Sequence, residues 1–123
     1  MLAALSSRAD ATSYAQVIKE RDSVLSQILA EREGKRPSGL ADDEAIAAAQ
    51  LALYSFRRDV AATTTEKIQN QELIVRIYEK KRGLVKARFS AGLVGRIQVL
   101  EATAPLLEAK QVLEELQLNE KKG

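Results

Sequence analysis

The sequence predicts an all-α fold built from elongated antiparallel helical hairpins, with a compact four-helix bundle as the alternative packing of the same helices. Three observations lead there. The 123 residues are 46% apolar and 29% charged but only 4% aromatic, the profile of a long-helix protein rather than of a globule that fills its centre with rings. Apolar residues recur at intervals of three and four over most of the chain. Residues that stop helices gather at two places, Gly34–Gly39 and Ala91–Gly95, with Gly83 and Pro105 standing apart.

Helix 1 is expected over about 10–33, after a frayed lead-in at 1–9, with Asp10 as its N-cap. Its apolar positions are Tyr14, Val17, Ile18, Val24, Leu25, Ile28 and Leu29. Gly34 reads as the stop, and Lys35-Arg36-Pro37-Ser38-Gly39 as a turn-forming connector.

Helix 2 is expected over about 41–91. Asp42, Asp43 and Glu44 place negative charge at its N-terminal end. Its period holds through Ile46, Ala49, Leu53, Phe56 and Val60, then Ile68, Val75 and Phe89. Unbroken, it would be a spine roughly 75 Å long at ~1.5 Å per residue. Thr63-Thr64-Thr65 is its weakest point, because β-branching restricts those side chains in a helix.

Helix 3 is expected over about 96–121. Val99, Ala102, Leu106, Ala109, Leu113 and Leu116 form a seam for a partner helix, while Leu100, Leu107 and Val112 flank it. Pro105 withholds a donor and crowds the carbonyl of Glu101, which predicts a kink.

Two registers follow. Folding about residues 34–40 sets Ile28 by Ile46, Leu25 by Ala49, Ile18 by Phe56 and Tyr14 by Val60. Folding about Leu93-Val94 pairs positions whose numbers sum to about 187, so that Lys86 meets Glu101 and Lys80 or Lys81 meets Glu108. Charge supports the second hairpin. The arm 79–96 holds Lys80, Lys81, Arg82, Lys86, Arg88 and Arg96 against the single acid Glu79, whereas 97–123 holds five acids against three bases. Exposed pairs of this kind contribute under ~1 kcal/mol each, enough to favour a register but not to hold a fold. Helices paired in this way leave apolar surface over, which a second copy, another protein or a bend at Thr63–Thr65 would cover.

The centre of the second hairpin has a resemblance. Arg88-Phe89-x-Ala91-Gly92-Leu93-Val94-x-Arg96-x-x-Val99-Leu100-Glu101-Ala102, followed by Leu106-Leu107-Glu108-Ala109, resembles the periplasmic helical hairpin of the TolC family of outer-membrane efflux proteins. There an aromatic-x-x-Gly turn precedes a Val-Leu-x-Ala start to the returning helix. The resemblance covers roughly residues 45–118, and its specific part is about fifteen residues. It departs from the family at Gly95 and Gln98, where Ser or Thr and Asp commonly cap the returning helix, and at Pro105. Nowhere does the chain show the alternating strands of a membrane barrel. The resemblance implies a hairpin tip, Ala91, Gly92, Leu93, Val94, Gly95 and Arg96, that meets an adaptor protein, and a periplasmic or envelope location once a signal peptide is removed. Without the resemblance, the same residues describe a cytoplasmic helical adaptor. In the plainer reading of the tip, the glycines only make the turn and Leu93 packs back on the hairpin.

Catalysis is not expected. With neither Cys nor His, the chain lacks the usual nucleophilic thiol, the commonest general base and the commonest metal ligand. Ser38 and Ser90 have no base partner, and Gly92-x-x-Gly95 lacks the strand and Lys-Ser/Thr of a phosphate loop. The acids Asp42-Asp43-Glu44 and Glu114-Glu115 have none of the Glu-x-x-His motifs of a di-iron bundle. No cofactor, metal or small-molecule substrate is therefore expected. The net charge of +2 gives no general affinity for polyanions, and acids placed against the basic arm make a solvated, salt-bridged face the plainer reading of residues 80–96. The residues at 1–8 lack the basic and apolar regions of a signal peptide, and no apolar run reaches the ~20 residues that span a bilayer. The expected partners are copies of the chain itself, or an envelope or adaptor protein.

Overall fold

The computed structural model describes residues 2–34 and 40–122, and for 2–11 and 40–42 the backbone alone. Four helices follow one another: α1 Leu2–Gly34, α2 Leu40–Val60, α3 Thr64–Ser90 and α4 Arg96–Lys122. There is no strand among the described residues, so the fold is all-α. The chain divides into two compact units, Met1–Leu53 and Tyr54–Gly123, and the boundary falls inside α2.

In the first unit α1 begins at Leu2 rather than near Asp10. The stretch Leu2-Ala3-Ala4-Leu5 has strong helix formers and no Gly or Pro to delay the start. The Lys35–Gly39 connector lies outside the described residues, as do the side chains of Asp10 and Asp42. Buried here are Leu29 of α1 and Ile46, Ala49 and Leu53 of α2. Of the expected inward residues of α1, Ile18 and Leu25 keep their side, whereas Leu29 takes the place of Ile28 and Tyr14 is exposed. Tyr14, Val17, Val24 and Ile28 are exposed, while Ile18, Leu25 and Leu29 lie on the less accessible side. The doublets Val17-Ile18, Val24-Leu25 and Ile28-Leu29 offer two equally apolar stripes about 100° apart. Periodicity alone does not choose between them.

The second unit corrects the continuous helix 41–91. The chain leaves helical geometry after Val60 and re-enters it at Thr64. Thr63 is extended (φ −123°, ψ 153°), and its hydroxyl accepts from the Glu66 N–H at 3.1 Å. The threonines that weaken a helix interior therefore build a helix start, with Thr63-x-x-Glu66 carrying the spacing of a capping box. On the other side of the break the Lys67 ammonium donates to the carbonyls of Arg58 at 3.1 Å and Asp59 at 3.5 Å, satisfying groups that the end of α2 leaves without helical partners. The break lets the end of α2 touch α3. Arg58 and Gln71 would stand about 20 Å apart along one helix, yet the Arg58 Nη1 donates to Gln71 Oε1 at 2.8 Å.

α3 and α4 pack as an antiparallel pair. Gln71 Nε2 donates to the Ala109 carbonyl at 2.9 Å, and Thr65 Oγ1 to Glu120 Oε2 at 2.9 Å. Those residue numbers sum to 180 and 185, against the expected sum of about 187, so the first contact is displaced by about two helical turns and the second by about half a turn. Ile68, Gln71, Ile74 and Val75 of α3 and Leu106 and Ala109 of α4 are buried, together with Phe56 from the end of α2. Leu106 is 0% exposed, and burial on that scale contributes about 1.5–3 kcal/mol for a leucine. α4 passes through Pro105 as one helix, although the ring leaves the Glu101 carbonyl without its helical donor. Two residues earlier Thr103 Oγ1 donates to the Val99 carbonyl at 2.7 Å, a contact that also tends to bend helices.

Candidate interaction surface at the hairpin tip

The tip is built by backbone chemistry first. The Leu93 N–H donates to the Arg88 carbonyl at 2.8 Å and the Gly92 N–H to the Phe89 carbonyl at 3.0 Å. This bond pair is a Schellman motif, which needs a left-handed residue at its centre. Gly92 supplies it, with φ at +76°. Leaving the turn, the Gly95 N–H donates to Gln98 Oε1 at 2.9 Å, and the Gln98 N–H returns to the Gly95 carbonyl at 3.2 Å. Gln98 thus makes the side-chain half of a capping box from the third helical position. The sequence reading noted Gly95 and Gln98 only as departures from a capping pair and missed this bond, though the Gly-x-x-Gln spacing carries it.

The fixed turn presents its side chains to solvent. Leu93 is 74% exposed, so it does not pack back on the hairpin. Ala91, Gly92, Gly95 and Arg96 are exposed and Val94 is half-buried. Phe89, Ile97 and Leu100 are also exposed, which gives the end of the hairpin an apolar group that the sequence placed only in part. Of the expected seam, Leu106 and Ala109 are buried, and Val99, Ala102, Leu113 and Leu116 are half-buried. The flanking Leu100 and Leu107 lie in the open.

The expected ion pairs across the hairpin do not form. Among the described residues no salt bridge joins 79–96 to 97–122, so Lys86 does not meet Glu101 and neither Lys80 nor Lys81 meets Glu108. The cause is geometric. At 100° per residue, Glu101 and Glu108 stand about 140–160° round α4 from the buried Leu106. Lys81 instead lies over the Tyr78 ring, 5.9 Å from its centroid, within the range of a cation–π contact.

Behind the tip, Gln71 is 1% exposed with both ends of its amide bonded, to Arg58 and to the Ala109 carbonyl. It joins the end of α2, α3 and α4 as a structural node. Arg58 also holds Asp59 through Nε at 2.9 Å. Among the described residues no three carboxylates converge on a point that could hold a metal ion, and no helix is long and apolar enough to cross a membrane. On α1, Val24, Gln27, Ile28, Glu31 and Arg32 line a shallow open groove. No protein-family profile, curated protein or solved structure matches the chain.

Proposed function

We propose that this chain is a non-enzymatic helical interaction protein that resembles the periplasmic hairpin of a TolC-like efflux or secretion component and offers the α3–α4 tip to a partner. The observation that carries this reading is the exposed apolar tip on a fixed turn. A loop held by a Schellman motif and a capping bond loses little conformational entropy on binding. Phe89, Leu93 and Ile97 supply apolar area of the kind found at the centre of contact surfaces. Copies of the chain, or an envelope or adaptor protein, are the partners this surface suits.

The test is site-specific photocrosslinking in the native host. A photoreactive residue at position 93 is expected to give an adduct of defined mass, and one at the exposed Gln69 is expected to give none. Absence of adducts at 93 in cells that accumulate the chain would overturn the reading. Osmotic-shock fractionation separates an envelope component from a cytoplasmic adaptor with the same surface.

A second reading draws on the basic arm, which no acid of α4 neutralises. Lys80, Lys86 and Arg96 are exposed and suit an anionic surface or nucleic acid. Salt-dependent retention on heparin that is lost when Lys80, Lys81 and Arg82 become Gln supports it. Retention unchanged by the substitutions sinks it.

A further inference from the structure

α4 is apolar on two sides. One side, with Leu106 and Ala109, is covered within the hairpin. The other carries Ile97, Leu100, Leu107 and Leu118, each more than half exposed, with exposed Ala104, Gln111 and Glu114 between them. Positions 97, 100, 104, 107, 111, 114 and 118 alternate steps of three and four, which is the spacing of a two-stranded coiled-coil seam. Nothing in the hairpin's own packing calls for this second stripe.

The charges beside the stripe select its occupant. Glu101, Glu108 and Glu115 follow one another at seven-residue intervals along one flank, and Arg96, Thr103, Lys110 and Gln117 along the other. Arg96, Glu101, Glu108, Lys110 and Glu115 are all exposed. Glu115 accepts from Gln111 Nε2 at 3.1 Å, and none of these acids is in a salt bridge among the described residues. In a parallel pair each flank faces the opposite flank of the second helix, five residues further along. That brings Arg96 to the partner's Glu101 and Lys110 to the partner's Glu115, and two-fold symmetry repeats both contacts. An antiparallel pair would set the two glutamate rows against each other, and juxtaposed like charges disfavour that arrangement.

We infer that the outer stripe of α4 is the seam through which two copies of this chain associate side by side in parallel. The inference deepens the self-association reading; its seam shares Arg96 and Ile97 with the tip but runs along α4 and does not include Leu93. Glu114 is the flaw in the seam, because the parallel arrangement brings it against its own copy. Its replacement by leucine is therefore a gain-of-function probe.

Analytical ultracentrifugation across a dilution series, using the full chain, tests the proposal. The wild type is expected to dimerise reversibly. Glu114→Leu is expected to lower the dissociation constant at least tenfold, and Leu100→Glu combined with Leu107→Glu to leave a monomer with unchanged helical circular dichroism. Leu93→Asp is expected to leave dimerisation as it was, which separates failure of this seam from failure of the tip reading. The chain has no cysteine, so orientation can be read from single Cys variants. Leu100→Cys alone and Leu118→Cys alone should each oxidise to a disulfide dimer. Three results overturn the inference: cross-linking only in a mixture of those two variants, a Glu114→Leu variant that stays monomeric, or a dimer dissolved by Leu93→Asp but not by the α4 double variant.

Discussion

Replacing Gln71 isolates what the interior of the second unit depends on. The side chain is 1% exposed, accepts from Arg58 Nη1 at 2.8 Å and donates to the Ala109 carbonyl at 2.9 Å. Gln71→Ala removes both bonds and opens a void between α3 and α4. A hydrogen bond to a charged group contributes about 1.5–3 kcal/mol and a neutral one about 1. The two partners retain other options, which brings the loss toward the low end. Arg58 keeps Asp59 and partial access to water, and the Ala109 carbonyl is inside α4, where a helical acceptor has its own backbone donor. Adding the lost packing gives about 3 kcal/mol. Gln71→Leu keeps most of the volume and adds apolar burial, so its cost should be about 1 kcal/mol or less. The assay is urea denaturation followed by circular dichroism, compared through midpoints at constant slope. The order Ala far below Leu, with Leu near wild type, is the expected result. An alanine variant as stable as the wild type would refute the reasoning, because a site that tolerates the void is not packed. A leucine variant that loses as much as alanine would mean that the bonds, not the volume, hold the three helices.

Other perturbations reach the turns and helix interiors. Gly92→Ala is expected to cost about 1–2 kcal/mol from the left-handed backbone alone, since a methyl at that position meets no atom within 4 Å; Gly92→Asn should cost visibly less, as thermal melts of the two would show. Thr63→Ala removes the cap of α3 and should lose about 1 kcal/mol, with Thr63→Ser recovering most of it. Gly83 lies exposed inside α3 with open space where a Cβ would go, so Gly83→Ala should raise stability by about 0.5–1 kcal/mol; an unchanged denaturation midpoint would contradict that.

The features legible in the sequence share a property: their cause lies within a few residues of their effect. Gly92 in the turn after α3 follows from the need for a left-handed residue there. Helices over most of the chain follow from strong helix formers at three-four spacing. The break at 61–63 was present locally too, in Thr63-x-x-Glu66, but β-branching drew attention to the weakness of a helix interior and away from the strength of a helix start. Gln98 beside Gly95 is the same kind of miss.

The rest depended on what lies across from each residue. The sequence register turned Ile28 inward, but the neighbouring stripe is equally apolar, and packing chose Leu29. A glutamine among apolar residues gives no sign of becoming the most enclosed polar group of its unit, because that required a carbonyl of α4 and a guanidinium of α2 to reach it from opposite sides. The charge imbalance between the arms was correct as composition and wrong as contact, since a salt bridge depends on the angle at which a residue leaves its helix. By itself the sequence determined that this protein is helical, where its second hairpin turns, and that its tip would carry apolar residues. Tertiary structure decided which stripe is buried, that Thr63 begins a helix, and that the outer face of α4 is left uncovered. Local propensity acts over one turn of helix, whereas burial depends on which surfaces the folded chain brings together.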